Sequence, residues 1–191
     1  MNVRSIRSAL LAVALLAPAV ADAKKFDNDG NHTSIEFTAK TVLFKVNGRF
    51  DKYNLLVDGD PQALGTVNVK LEIDVKSIST GNKTRDEHLK SPDFFDAKKF
   101  PKIIFTGTKA TRDGDKVIVE GTLEMHGVKK ELKVPFSPMV AKNGAGVEEH
   151  SFQGEIVINR KDFGVGNDSI GARISLANEV KVELMIAGFF K

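Results

Sequence analysis

The stretch VNVKLEIDV, residues 67–75, sets Val67, Val69, Leu71, Ile73 and Val75 against Asn68, Lys70, Glu72 and Asp74. A strict period of two is the pattern of a strand with one dry face and one wet face. The same rule recurs along the chain. Ile35, Phe37 and Ala39 alternate with Glu36 and Thr38, and Val117, Val119, Gly121, Leu123 and Met125 oppose Glu120, Thr122 and Glu124. Leu132–Phe136, Phe152–Ile158 and Val180–Ile186 repeat it. Turn-forming clusters separate these runs at Asp58–Pro61, Arg112–Asp115, His126-Gly127 and Asn143–Gly146.

Strands with one charged face and short turns form an antiparallel sheet wetted on one side. Seven or eight of them, with no long helical pattern, predict an all-β fold of one curled sheet. Closure into a barrel of about eight strands removes exposed edges and leaves room for side chains or one small ligand. A two-sheet sandwich is the other solution.

Residues 1–23 read as an export leader outside that fold. Arg4 and Arg7 form a basic start, Ala9–Ala17 is an apolar run, and Ala21-Asp22-Ala23 ends on small residues. The apolar run falls short of the roughly 20 residues that a membrane-spanning helix needs. Cleavage before Lys24 leaves residues 24–191 as one domain and predicts a periplasmic protein. The chain has no cysteine, so neither disulfides nor thiolate chemistry enters. Without the leader, 26 basic and 24 acidic residues remain, a net +2, which carries no concentrated basic footprint for nucleic acid. Transient contact with a membrane surface and a homodimer stay open.

One segment breaks the alternation. In TGNKTRDEHLKSPDFFDAKKFPKIIF, residues 80–105, Thr84-Arg85-Asp86-Glu87 has the form of a capping box and Pro92 forces an early stop. The expectation is a short helical insert near residues 83–97, with a second turn begun by Ser91-Pro92-Asp93. Of Phe94 and Phe95, one would face the interior and its neighbour would cover the rim.

The candidates for chemistry are sparse. His32, His88, His126 and His150 lack metal-ligand spacing, and no metal or cofactor is expected. His126 and His150 fall in turns and should be exposed. His32 and His88, with Arg85 and Asp86, could build a polar cluster in which Asp86 orients a histidine base. No nucleophile elbow or phosphate loop accompanies them. The competing reading has Arg85, Asp86 and His88 anchoring the insert, and no catalytic residue is assigned.

Alternation and the insert nominate an apolar wall. From the early strands come Phe37, Phe44, Val69, Leu71 and Ile73, and from the insert and its following strand Phe94, Phe95 and Phe105. The later strands add Leu123, Met125, Phe136, Phe152, Ile156, Phe163 and Leu184. Periodicity does not distinguish a filled interior from a hollow one.

Four groups of residues resemble the YceI-like family. His32-Thr33-Ser34-Ile35-Glu36-Phe37 is similar to its opening strand, and Arg85-Asp86-x-His88-Leu89-x-Ser91-x-Asp93-Phe94-Phe95 to its central signature. Gly121–Lys129 resembles its hairpin, and Asn159-Arg160-Lys161-Asp162-Phe163-Gly164 its late turn. The matches run in order from about residue 26 to 187. Ala39-Lys40-Thr41 stands where many members carry a histidine. The resemblance implies a lipocalin-like antiparallel barrel, exported, non-catalytic, and holding a long isoprenoid or similar amphiphile in an apolar cavity. It makes His32, Arg85, Asp86, His88, Arg160 and Asp162 structural motif residues. The rival functions are a filled barrel acting through its surface in stress or interaction, and a hydrolase using His32, Asp86 and His88.

Overall fold

The computed structural model describes residues 24–61 and 63–191, so the expected leader lies outside the described residues. The strands are β1 (Phe26–Asn28), β2 (Ser34–Thr41), β3 (Lys45–Phe50), β4 (Tyr53–Asp58), β5 (Asn68–Asp74) and β6 (Ile78–Ser79). They continue with β7 (Lys102–Asp113), β8 (Lys116–Met125), β9 (Val128–Lys142), β10 (Glu148–Asn159) and β11 (Leu176–Phe190). Two helices interrupt them, α1 (Lys83–Lys90) and α2 (Ile170–Ser175). Every pairing is antiparallel.

Several short strands are pieces of longer ones. β1 and β2 both pair along the same edge of β11, interrupted at residues 29–33. β3 and β4 are halves of one bent strand: β3 pairs with β2, while β4 pairs with β5 and bridges Lys25 through Asp58. A single 3-10 turn at Val75–Ser77 joins β5 to β6, which pairs with β3. Grouped in this way, eight strands follow one another in chain order, each beside the next. β11 returns to β1 and β2, which closes an up-and-down barrel without the free edges that invite aggregation.

The meander assigns connections to two ends. The β2–β3 turn, the α1 segment, the His126-Gly127 hairpin and the α2 segment share one end. The loops at 59–67, 114–115 and 143–147 share the other. His126 and Gly127 both have positive φ, 53° and 77°, as a two-residue hairpin matched to strand twist requires. Against expectation His126 is half-buried: its Nδ1–H donates to the Phe163 carbonyl at 3.0 Å and its ring meets Phe100 at 4.8 Å. His150 is half-buried too, between Phe152 and Phe190.

α1 begins two residues earlier than the Thr84 capping box implies. Asn82 is the cap, its side chain accepting from the Arg85 amide at 3.1 Å. Asn is at least as good a cap as Thr, and its carbonyl reaches the third amide of the helix. Ser91 closes the helix, its hydroxyl donating to the His88 carbonyl at 2.7 Å, and its own carbonyl opens the expected second turn by accepting from the Phe94 amide. Residues 92–95 then form turns.

Candidate functional site: an apolar barrel interior

The barrel interior is hollow. Its cavity has a volume of about 170 Å³. Its wall is hydrocarbon apart from Glu36 and Arg160. An apolar void of this kind stays dry and accepts apolar guests.

The alternating strands build that wall directly. Phe37, Val69, Leu71, Ile73, Phe105, Leu123, Met125, Phe136, Ile156 and Leu184 all face the cavity. Phe94 and Phe95 both line it, so the expectation that one covers the rim is corrected. The turn geometry explains this: the Phe94 amide donates to the Ser91 carbonyl and the Phe95 amide to that of Leu89, folding residues 91–95 inward.

Three nominated residues lie elsewhere. Phe44 is 60% exposed. Thr41 and Phe44 exchange hydrogen bonds through the Thr41 hydroxyl and both backbones, and this tight turn throws Phe44 outward. Phe152 packs edge-on against Phe26 at 6.2 Å, and Phe26 in turn meets Phe190 at 5.0 Å, a plug near the β1 end. Phe163 is fully buried in the 3-10 turn Arg160–Phe163, off the cavity wall, and Val165 lines the space instead.

The wall also has residues that were not nominated. Val180, Val182 and Ile186 lie on the same face of β11 as Leu184, and Val134 shares the face of Phe136. Extending each alternation would have found them. Phe50 and Leu55 come from the bent β3–β4 strand, and Leu89 from α1.

Arg160 is the cation at the site. It is 4% exposed, and its guanidinium donates to the carbonyls of Ala177, Val165, Ala172 and Leu176 at 2.9–3.1 Å. Burial holds its pKa below the usual arginine value. Four carbonyls in one fork fasten the β10–β11 connection, α2 included, over the end of the barrel. Neighbouring Asp162 points away from it, 3.4 Å from Lys130.

The polar residues of the insert do not converge into a catalytic group. Arg85 donates to the hydroxyl and carbonyl of Thr80, and the Asp86 carboxylate accepts from the Thr80 amide (2.9 Å) and hydroxyl (2.5 Å). Both therefore tie α1 to the end of β6. His88 Nε2 pairs with Asp93 at 3.0 Å, and His32 Nδ1 with Asp29 at 2.5 Å. That exposed bond lowers the Asp29 pKa and raises that of His32. His32, Asp86 and His88 have separate partners, so the hydrolase arrangement does not form.

A closed eight-stranded antiparallel barrel around an apolar cavity defines a lipocalin-like class. Residues 26–187 match the YceI-like domain, and the chain belongs to that family. A UPF0312 protein of Pectobacterium atrosepticum is 32% identical over 165 residues, 83% of this chain and 85% of its own length. A UPF0312 protein of Staphylococcus aureus is 36% identical, with 83% and 93% covered. Among solved structures, Burkholderia cenocepacia BcnA superposes with a TM-score of 0.74 at 28% identity, covering 84% of this chain and 99% of that one. A polyisoprenoid binding domain from Saccharophagus degradans shares the fold at TM-score 0.64 and 16% identity, with 87% and 97% covered.

Proposed function

We propose that this protein is a periplasmic binding protein that carries or stores a long-chain polyisoprenoid or similar amphiphile, such as an isoprenoid quinone. The observation that carries this reading is the chemistry of the cavity. Its wall is apolar apart from Glu36 and Arg160, a lining suited to a hydrocarbon chain. Burial is worth roughly 0.8 kcal/mol per CH₂ taken from water, so a chain of many carbons has ample driving force. A lipid leaving a bilayer gains little of that, because its tail is already in hydrocarbon. Exchange with a membrane therefore depends on fit and on an open mouth more than on polar contacts.

The polyisoprenoid-binding name of the structural relative from Saccharophagus supports the ligand class, and the leader read in residues 1–23 supports the location. Binding is favoured over catalysis because the titratable groups of the insert are engaged in fixing it.

The test is a chain-length series. Delipidated protein is titrated with fluorescent isoprenoid alcohols of increasing length. Affinity should rise with each added unit until the cavity is full and then level off. Affinity independent of chain length would reject the proposal.

A further inference from the structure

At the α2 end of the barrel, five large apolar side chains stand in solvent. Val42, Leu43 and Phe44 in the β2–β3 turn are 77%, 85% and 60% exposed, and Ile170 and Ile174 of α2 are 67% and 77% exposed. They form one surface, because the Val42 amide donates to the Ser175 carbonyl at 3.1 Å and Thr41 pairs with Leu176. Ile170 and Ile174 are four residues apart and so share one face of α2. Arg160 pins that segment from below through the Ala172 and Leu176 carbonyls, so the isoleucines are held outward.

Cations frame the patch. Lys40 and Lys45 face each other across the stem of the turn, and Arg173 lies between the two isoleucines in sequence. Segments 40–45 and 169–175 contain no acidic residue, and the exposed Asp168 just before α2 is the acid that adjoins them in sequence. Scattered exposed apolar residues need no explanation, but a joined cluster framed by three cations against one acid does. The exposed residues Met139, Val140 and Val147 at the opposite end differ, since Glu148 and Glu149 follow Val147 and Glu149 pairs with Ala141 beside Val140.

We propose that this surface docks onto an anionic phospholipid bilayer, with Val42–Phe44 and the outer face of α2 entering the headgroup boundary and Lys40, Lys45 and Arg173 meeting lipid phosphates. Apolar insertion combined with basic residues at the rim is the physical recipe for interfacial binding. A second copy of the chain fits less well, because a two-fold interface would set these cations against their own kind. Docking also aims the barrel's interior at the membrane: the cavity residues Ala39 and Leu176 lie within three residues of the patch. This last point rests on the lipid-carrier reading, whereas the docking does not.

The test is vesicle flotation of the purified protein with phosphatidylcholine vesicles, alone and mixed with phosphatidylglycerol. Binding should require the anionic lipid and weaken with salt. Leu43→Asp and Ile174→Asp should each reduce it at least tenfold. Removing one cation, as in Lys45→Ala, should cost on the order of fivefold. The substituted side chains are exposed, so a far-ultraviolet spectrum and thermal midpoint like those of the parent protein should accompany the loss.

Absence of wild-type binding, or full binding by Leu43→Asp, would overturn the proposal. So would a wild-type dimer in light scattering that Leu43→Asp turns into a monomer, which would assign the patch to self-association. Isoprenoid loading of the same preparations keeps the two readings apart, since Leu43→Asp should load normally.

Discussion

The ring of Phe37 occupies the space above its cross-strand partner Gly48: a β-carbon placed on Gly48 would stand 2.3 Å from the Phe37 Cζ. Phe37 is a cavity-wall residue, so the missing side chain at position 48 determines how far that ring stays out of the lumen. Gly48→Ala should push the ring inward. Overpacking of this kind costs about 1–3 kcal/mol. The expected outcome is a lowered urea midpoint together with weakened loading of long isoprenoids, the two measured on the same protein.

Leu71 faces the cavity and pairs with Leu55 and Phe105 on the neighbouring strands. Leu71→Trp adds volume where the lumen is empty, so the fold should survive while ligand capacity falls. Circular dichroism and isoprenoid titration give the two readouts. Loss of both together would mean that position 71 is packed core rather than cavity wall.

Arg160 donates to four carbonyls between Val165 and Ala177, of which that of Ala172 also accepts from the Leu176 amide at the end of α2. Arg160→Met keeps much of the apolar stem but removes all four of these bonds, and each buried carbonyl left without a partner costs about 1–3 kcal/mol. A loss of about 3 kcal/mol or more in denaturant unfolding is expected, with faster amide exchange in residues 170–177. Arg160→Lys retains a charge but not the fork, and should recover only part of the loss.

Glu72 on the outer face of β5 is held by Lys102 and Lys70, and these hydrogen bonds lower its pKa from 4.5 to about 2. A carboxylate depressed in the folded state adds stability that is fully present above its unfolded value. That stability drains away as pH falls from 4.5 towards 2. Glu72→Gln should therefore flatten the acid limb of the stability profile in that window and leave its slope between pH 6 and 8 unchanged, as thermal melts across a pH series can show.

Alternation made most of the barrel legible, because each strand has one face in water and one towards the interior. It failed where parity changes. Val46, Gly48 and Phe50 point one way on even numbers, then Tyr53, Leu55 and Val57 do so on odd numbers. The bend at Asp51-Lys52 shifts the count, so no single period covers the strand that closes the barrel. α2 escaped notice for another reason. It has six residues, buries only Ala172, and turns its isoleucines to solvent, so it has no core-facing stripe to detect. Phe44, Phe152 and Phe163 were misplaced by treating aromatic residues as interior wherever a strand ran near them. A tight turn, an end plug and a 3-10 turn each gave one of them a different position.

The apolar cavity is proposed as a site for one long hydrocarbon chain. The most direct measurement is native mass spectrometry of protein purified without detergent from an isoprenoid-producing host, paired with organic extraction of the same sample. One long-chain isoprenoid or related amphiphile per barrel is expected, lost in Leu71→Trp. Protein that is repeatedly empty, and that takes up no isoprenoid when one is offered, would contradict it.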